Sequence, residues 1–275
     1  MHCLPTYHLG ACTVLLVLLA WPAGARSVES AQAQNYDAEA ALKHSQAAIG
    51  NTLRHAQLVD TNGHAVNLTD LAGKPLLVSL VFTSCYHTCP VTTRYLAKAV
   101  ANAREVLGKD SFNVVTIGFD TLHDTPDSMA AFAKSQAIDT GNWAFLSGTN
   151  ESVATLVEDL GFIYFPSPRG FDHIVQLTVV DRDSRVYRQV YGEAFDLPWL
   201  MEPLKDLVFN RSSSTDATLA GLTDRIKLFC TVYDPATGRY KFDYSLFFQI
   251  AIGFMIVASV SIYLLREVRR SRRPH

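Results

Sequence analysis

The chain has little cysteine. Five residues in 275, two of them in the first 25, exclude a disulfide-rich scaffold. Once Cys3 and Cys12 leave with the N-terminal segment described below, Cys85, Cys89 and Cys230 remain, an odd set. What is left of the chain is long enough to bury a core without covalent staples, so these thiols are free to do chemistry. Also missing are an internal repeat, a thioredoxin-type C-x-x-C, and any Lys or Arg near the start, where only His2 and His8 stand. Formal charge is absent from residues 244–265, YSLFFQIAIGFMIVASVSIYLL.

The two ends agree with each other. LGACTVLLVLLAW is an apolar run followed by PAGA, with Ala23 and Ala25 at A-x-A spacing. This predicts a secretory signal over residues 1–25. Leu9-Gly10-Ala11-Cys12 resembles a lipoprotein cleavage site, but its apolar run follows the cysteine, which excludes lipidation there. The uncharged run 244–265 is long enough to cross a bilayer core as a helix and is apolar all round, unlike a core helix. REVRRSRRPH follows, with five Arg against one Glu. The positive-inside rule places this tail, residues 266–275, in the cytoplasm. The predicted location is the bacterial inner membrane, single-pass, with the folded domain in the periplasm. In that exported part acidic residues outnumber basic ones, a balance hidden in the whole-chain value of −2. A net-acidic domain is a poor nucleic-acid binder.

Between the ends, residues 26–51 are Ala/Gln-rich and read as a linker or loose helix. HAQLVDTNGHAVNLTDLAGK alternates and turns at Asn62-Gly63, a hairpin signal. PLLVSLVFTS and FNVVTIGFD are continuous apolar runs of buried-strand length. A helix is expected from Pro90 to Gly108. A second carries Thr125 as N-cap and Pro126 at its first position. NWAFLSG is a short strand, and NESVATLVEDLG a helix capped by Asn150 and closed by Gly161. HIVQLTVVD and RVYRQVYG pair across Arg182-Asp183-Ser184, and LPWLMEPLKDLVFN is a last helix. Strands alternating with helices predict an α/β fold, thioredoxin-like, with an N-terminal hairpin extension. It occupies residues 52–210, with a juxtamembrane segment at 211–243.

Functional sites in such sheets lie outside the carboxyl ends of the parallel strands. Cys85 and Cys89, in TSCYHTCPVTT, follow the first buried strand. Asp120, His123 and Asp124 follow the second. His173 is expected to begin the antiparallel strand at the same edge. Pro90 in a first helical turn places Cys89 near the N-cap, where the helix dipole favours a thiolate. Two thiolates with an imidazole suit copper or zinc. A redox pair and a plain structural disulfide remain open at this point.

VFTSCYHTCPVTTRYL, TIGFDTLHDTPDSMAAFA, NWAFLSGTNESVATLVEDLGFIYF and DHIVQLTVVD together resemble successive blocks of the SCO/SenC family, over roughly residues 52–205. The family comprises thioredoxin-like copper-binding proteins that help assemble the binuclear copper site in subunit II of cytochrome c oxidase. The resemblance implies copper as the bound metal, with Cys85, Cys89 and His173 as ligands and Asp120 as an assisting acid. It also implies partners: oxidase subunit II or another copper-dependent oxidase, a copper donor protein, and the membrane. Tyr86-His87-Thr88 separate the cysteines where the family commonly has an acidic residue. His123 stands where Arg is common. Both imidazoles read as solvated. Cys230 lies outside the matched blocks and reads as a partly buried free thiol. The anchor is C-terminal here, whereas an N-terminal helix is expected of the family.

Three functions are set against one another. The first is a membrane-anchored copper chaperone. The second is a thiol–disulfide reductase in which Cys85 and Cys89 cycle and His173 is dispensable. The third, a peroxidase, is the weakest, because both cysteines can pair and no activating Arg stands beside them.

Overall fold

The computed structural model describes residues 36–138, 142–209, 231–234, 239–242 and 244–271. The expected signal segment, Cys230 and the last four residues lie outside these.

The main sheet has seven strands in the order β2-β1-β5-β4-β3-β8-β9. At its centre lie β3 (Leu76–Val81), β4 (Asn113–Gly118) and β5 (Trp143–Gly148), mutually parallel. All six residues of β3 are buried, so this strand reads as an unbroken apolar run apart from Ser79. Parallel neighbours need crossovers, supplied by α2 (Thr88–Leu107) and α3 (Pro126–Ser135). After α4 (Asn150–Asp159) the chain returns through β8 (Gln176–Val180), antiparallel to β3, and β9 (Val186–Tyr191). The closing helix is α5 (Leu197–Phe209). This is the expected thioredoxin-like α/β fold. The N-terminal hairpin, β1 (Gln57–Asp60) and β2 (Ala65–Asn67), extends the sheet alongside β5. Its turn uses Gly63 at φ 86°.

Three local features differ from the sequence reading. Residues Ala38–Ala47 form a defined helix, α1, capped by the Asp37 carboxylate. Ser45 is fully buried on α1. Its hydroxyl donates to Gln176 Oε1 at 2.7 Å and lies 2.9 Å from the Tyr191 hydroxyl. The helix is therefore bolted to the β8–β9 pair by polar contacts that its sparse apolar content does not announce. Second, α4 is capped by Thr149 rather than Asn150: the Thr149 hydroxyl accepts from the Ser152 amide at 3.3 Å. Two good capping residues stand side by side, and only geometry separates them. Third, His173 does not begin the antiparallel strand. It ends β7 (Gly170–His173), which pairs with β6 (Tyr164–Ser167) in a separate hairpin, Tyr164 opposite His173.

A further hairpin, β10 (Thr231–Asp234) with β11 (Arg239–Phe242), precedes α6 (Ser245–Ser271). Within α6, Phe247–Arg266 is an apolar segment of 20 residues with none of its apolar stretch buried. At 1.5 Å per residue that is about 30 Å, the thickness of a bilayer core.

Candidate metal and thiol site

The register Val81↔Gly118 brings β3 and β4 to an end side by side, and Ser79↔Leu177 brings the start of β8 to the same edge. The loop after β3, the loop after β4 and the end of β7 therefore converge, as topology requires. The loop after β3 turns sharply: the Cys85 amide donates to the Phe82 carbonyl at 3.1 Å. Helix α2 then starts at Thr88 with His87 as N-cap and no capping side chain. Its first amides need acceptors. The Cys85 sulfur fills that role, accepting from the Cys89 amide at 3.3 Å.

This reverses the assignment of the thiolate. Cys85, half-buried, is held down to about 5 by a hydrogen bond from the Cys89 thiol and by the amides of Cys89, His87 and Thr88, against the opposing effect of burial. Cys89 lies inside the first turn of α2 and is 4 % exposed. Its pKa is pushed far up, first by its bond to Cys85 and then by burial. The helix terminus does favour a thiolate, but on the residue that folds back over it. Both cysteines are free, Cys85 partly exposed and Cys89 buried, and the negative charge is favoured on Cys85.

His173 is half-buried against Phe82, Phe119 and Phe162, with ring centroids 6.0, 5.5 and 5.3 Å away. Its Nδ1 lies 2.8 Å from the Ile174 carbonyl oxygen. A carbonyl only accepts, so Nδ1 carries the proton and Nε2 keeps its lone pair in the neutral ring. Burial lowers the pKa of His173 and favours that neutral form. Cys85 and His173 line one open cleft of about 840 Å³, with Tyr86, His87, Arg169 and Glu193 on its walls. Tyr86 is 98 % exposed. Thr88 Oγ1 donates to Glu193 at 3.1 Å and ties the helix start to the far wall.

The other residues named from sequence are placed differently. Cys89 lies beneath Cys85 rather than on the cleft wall. Asp120 is buried and is not among the cleft-lining residues. Its Oδ2 is 2.7 Å from Nδ1 of the exposed His123. Asp120 also raises the pKa of Tyr164, after burial, so its charge reaches the residue paired with His173. Among the described residues no group of three His, Cys, Asp or Glu side chains is already gathered as a metal cage.

Comparison with known proteins follows the same outline. Residues 44–207 match the family model SCO1/SenC. The chain belongs to the SCO1/SenC family. Among its relatives is the SCO1 protein homolog of Bacillus subtilis (strain 168), 26 % identical over 140 residues, which are 48 % of this chain and 69 % of the relative. A solved structure from Aquifex aeolicus VF5 superposes with a TM-score of 0.54 at 25 % identity, covering 58 % of this chain and 94 % of that one. A SCO1/SenC family lipoprotein from Bacillus anthracis str. Ames superposes with a TM-score of 0.52 at 24 % identity, covering 57 % and 95 %. ScoI of Arabidopsis thaliana, ScoI of Bradyrhizobium japonicum and yeast Sco1 have been solved with copper bound, and BsSco is a member of the Sco family of cytochrome c oxidase assembly proteins.

Two elements of this SCO/SenC site escape sequence reasoning. One is the β6–β7 hairpin, whose only advance signal is the turn-forming SPRG before Phe171. The other is not the presence of Asp124 at this edge, which its loop implies, but the bond by which its carboxylate reaches the cysteine loop across 41 residues of sequence.

Proposed function

We propose that this chain is a membrane-anchored copper-binding protein of the periplasmic face. It would deliver copper to, or mature, the binuclear copper site of cytochrome c oxidase subunit II, or serve another copper-dependent oxidase. The observation that carries this reading is the pairing, in one cleft, of a sulfur that accepts the first amide of a helix with an imidazole whose Nδ1 is engaged on a backbone carbonyl, leaving Nε2 as the ligating atom. Cys85, Cys89 and His173 would hold the metal. Soft thiolates and an imidazole suit copper. Cys89 is already hydrogen-bonded to Cys85, so a second sulfur stands beside the first. Its proton would leave on loading, which makes affinity rise with pH. The openness of the cleft suits cargo that must be handed on. Copper would arrive from a donor protein. Helix α6 would anchor the chain, with its arginines on the cytoplasmic side.

A copper titration of the reduced full-length chain tests this. Wild type is expected to bind one copper, Cys85→Ser to lose binding, and His173→Ala to bind more weakly. The three-ligand reading fails if His173→Ala binds copper as well as wild type and still restores oxidase assembly.

The asymmetry of the two sulfurs supports a second reading, thiol–disulfide reduction of exported proteins. The Cys85 thiolate would attack a target disulfide and form a mixed disulfide, releasing one target thiolate. Cys89, on losing its proton, would attack the Cys85 sulfur and release the second. The resulting Cys85–Cys89 disulfide would then need an external dithiol reductant. Under this reading His173→Ala leaves exchange intact while Cys85→Ser abolishes it.

A further inference from the structure

Thr83 stands at the corner of the turn that carries the chain from β3 towards α2. Its amide and its hydroxyl both donate to Oδ1 of Asp124, each at 2.7 Å. Oδ2 of the same carboxylate accepts from the Asp120 amide at 2.9 Å. Asp124 is 2 % exposed, and its own amide is fixed on the Asp120 carbonyl at 2.7 Å. A buried carboxylate is tolerated only when its acceptor positions are filled. Here three donors fill them, and two belong to the cysteine loop. Gly118 makes the room: a Cβ there would lie 2.3 Å from the Asp124 Cβ.

We propose that Asp124 is a positioning residue for the Cys85–Cys89 pair. Through Thr83 it fixes where the Cys85 sulfur rests over the first turn of α2. This rests on the reading above that the two sulfurs are the working part of the site. The tie acts two residues upstream of Cys85, on the turn that the Cys85 amide closes. It joins the cysteine loop to the loop after β4, so the sulfur is located by the sheet and not by a free loop.

The full-length chain, in detergent and with Cys3, Cys12 and Cys230 replaced by Ser, is equilibrated in glutathione buffers. Cys85 and Cys89 are oxidised to their disulfide as glutathione disulfide is reduced to two thiols. The equilibrium constant gives the effective concentration of one thiol at the other, which loss of stability alone does not move. Thr83→Ser keeps both donors and is expected to stay within about twofold of wild type. Thr83→Val keeps the shape and loses the hydroxyl. Asp124→Asn turns an amide N–H₂ towards the Asp120 amide. Both are expected to lower the constant about tenfold, the scale of one charge-assisted hydrogen bond, with urea unfolding confirming that each variant is folded. Constants for the folded variants equal to or above wild type overturn the proposal. If Asp124→Asn does not fold, the Thr83→Val and Thr83→Ser pair decides. Copper loading is followed separately by thiolate-to-copper absorption. If wild type takes up no copper, the copper reading falls while the glutathione comparison still decides the role of Asp124.

Discussion

The backbone N–H of Cys89 donates to the sulfur of Cys85 at 3.3 Å, and this contact divides the work between the two thiols. The amide belongs to the first turn of α2, where backbone donors lack partners. A thiolate accepts such donors better than a thiol does. Cys89, whose own sulfur is turned beneath, keeps its proton because a second negative charge beside the first, in a buried place, is costly.

Selective alkylation follows from this. In the reduced chain, iodoacetamide is expected to modify Cys85 with a rate that rises through about pH 5 and is flat at neutrality. Cys89 should stay unmodified through the same range. In Cys85→Ser the hydrogen bond and the neighbouring charge are gone, so Cys89 should titrate nearer an ordinary thiol, still raised by burial. Peptide mass spectrometry reads the sites, and faster labelling of Cys89 than of Cys85 would reverse the assignment.

The same shift predicts how stability depends on pH. The Cys85 pKa is lowered from an ordinary 9.0 to about 5. Between these values the unfolded chain holds a proton that the folded chain has released. Stability therefore rises with pH across the window. The contribution is fully present above the ordinary value and is lost as pH falls through about 5. Cys89 has the opposite sign: its raised pKa costs stability once pH exceeds the ordinary thiol value. Urea midpoints of the reduced chain should thus climb from pH 5 towards 9. Cys85→Ser should flatten the climb, and an unchanged slope in that variant would exclude Cys85 as its source.

What was legible in the sequence was legible for physical reasons. Strands β3 and β4 are buried on both faces and appear as apolar runs. The Thr125-Pro126 start of α3 and the Gly63 turn carry their own conformational signals, and residues 244–265 announce themselves by having no charge. The convergence of three loops on one edge follows from strand order alone. What stayed hidden depended on contacts between distant residues. The identity of the thiolate turned on which sulfur meets the first amides of α2 and which one the core buries. His173 sits in a separate hairpin because Phe171 and Tyr164 pack on Phe119, at 5.4 and 4.7 Å, and no sequence period marks a four-residue strand. Helix α1 is held by the Ser45 hydrogen bonds and by the small buried residues Ala41 and Ala48 rather than by a stripe of large apolar side chains.

That last point is open to measurement. Ser45→Ala removes the hydroxyl that donates to Gln176 Oε1 and contacts Tyr191. Gln176 is 7 % exposed, so its oxygen loses a partner with little water to replace it. A loss on the order of 1–3 kcal/mol is expected from urea unfolding. Hydrogen exchange should localise the loosening to α1. A variant as stable as wild type would show that α1 is attached by other contacts.

The aromatic shelf under His173 gives the last prediction. Gly170 sits at φ 111°, a conformation L side chains rarely adopt, and a Cβ there would lie 2.7 Å from Phe82 Cε2. Gly192 has a similar φ of 103° but nothing within 4 Å of its Cβ position. Gly192→Ala therefore reports backbone strain alone, about 1–3 kcal/mol. Gly170→Ala adds a collision with a ring whose centroid lies 6.0 Å from that of His173. It should cost more than Gly192→Ala by about 1 kcal/mol or more, the scale of overpacking. It should also move the imidazole NMR signals of His173, which Gly192→Ala leaves in place. Equal costs and unmoved signals would mean that Phe82 yields freely, and that the position of His173 is set by its Ile174 hydrogen bond and not by the shelf.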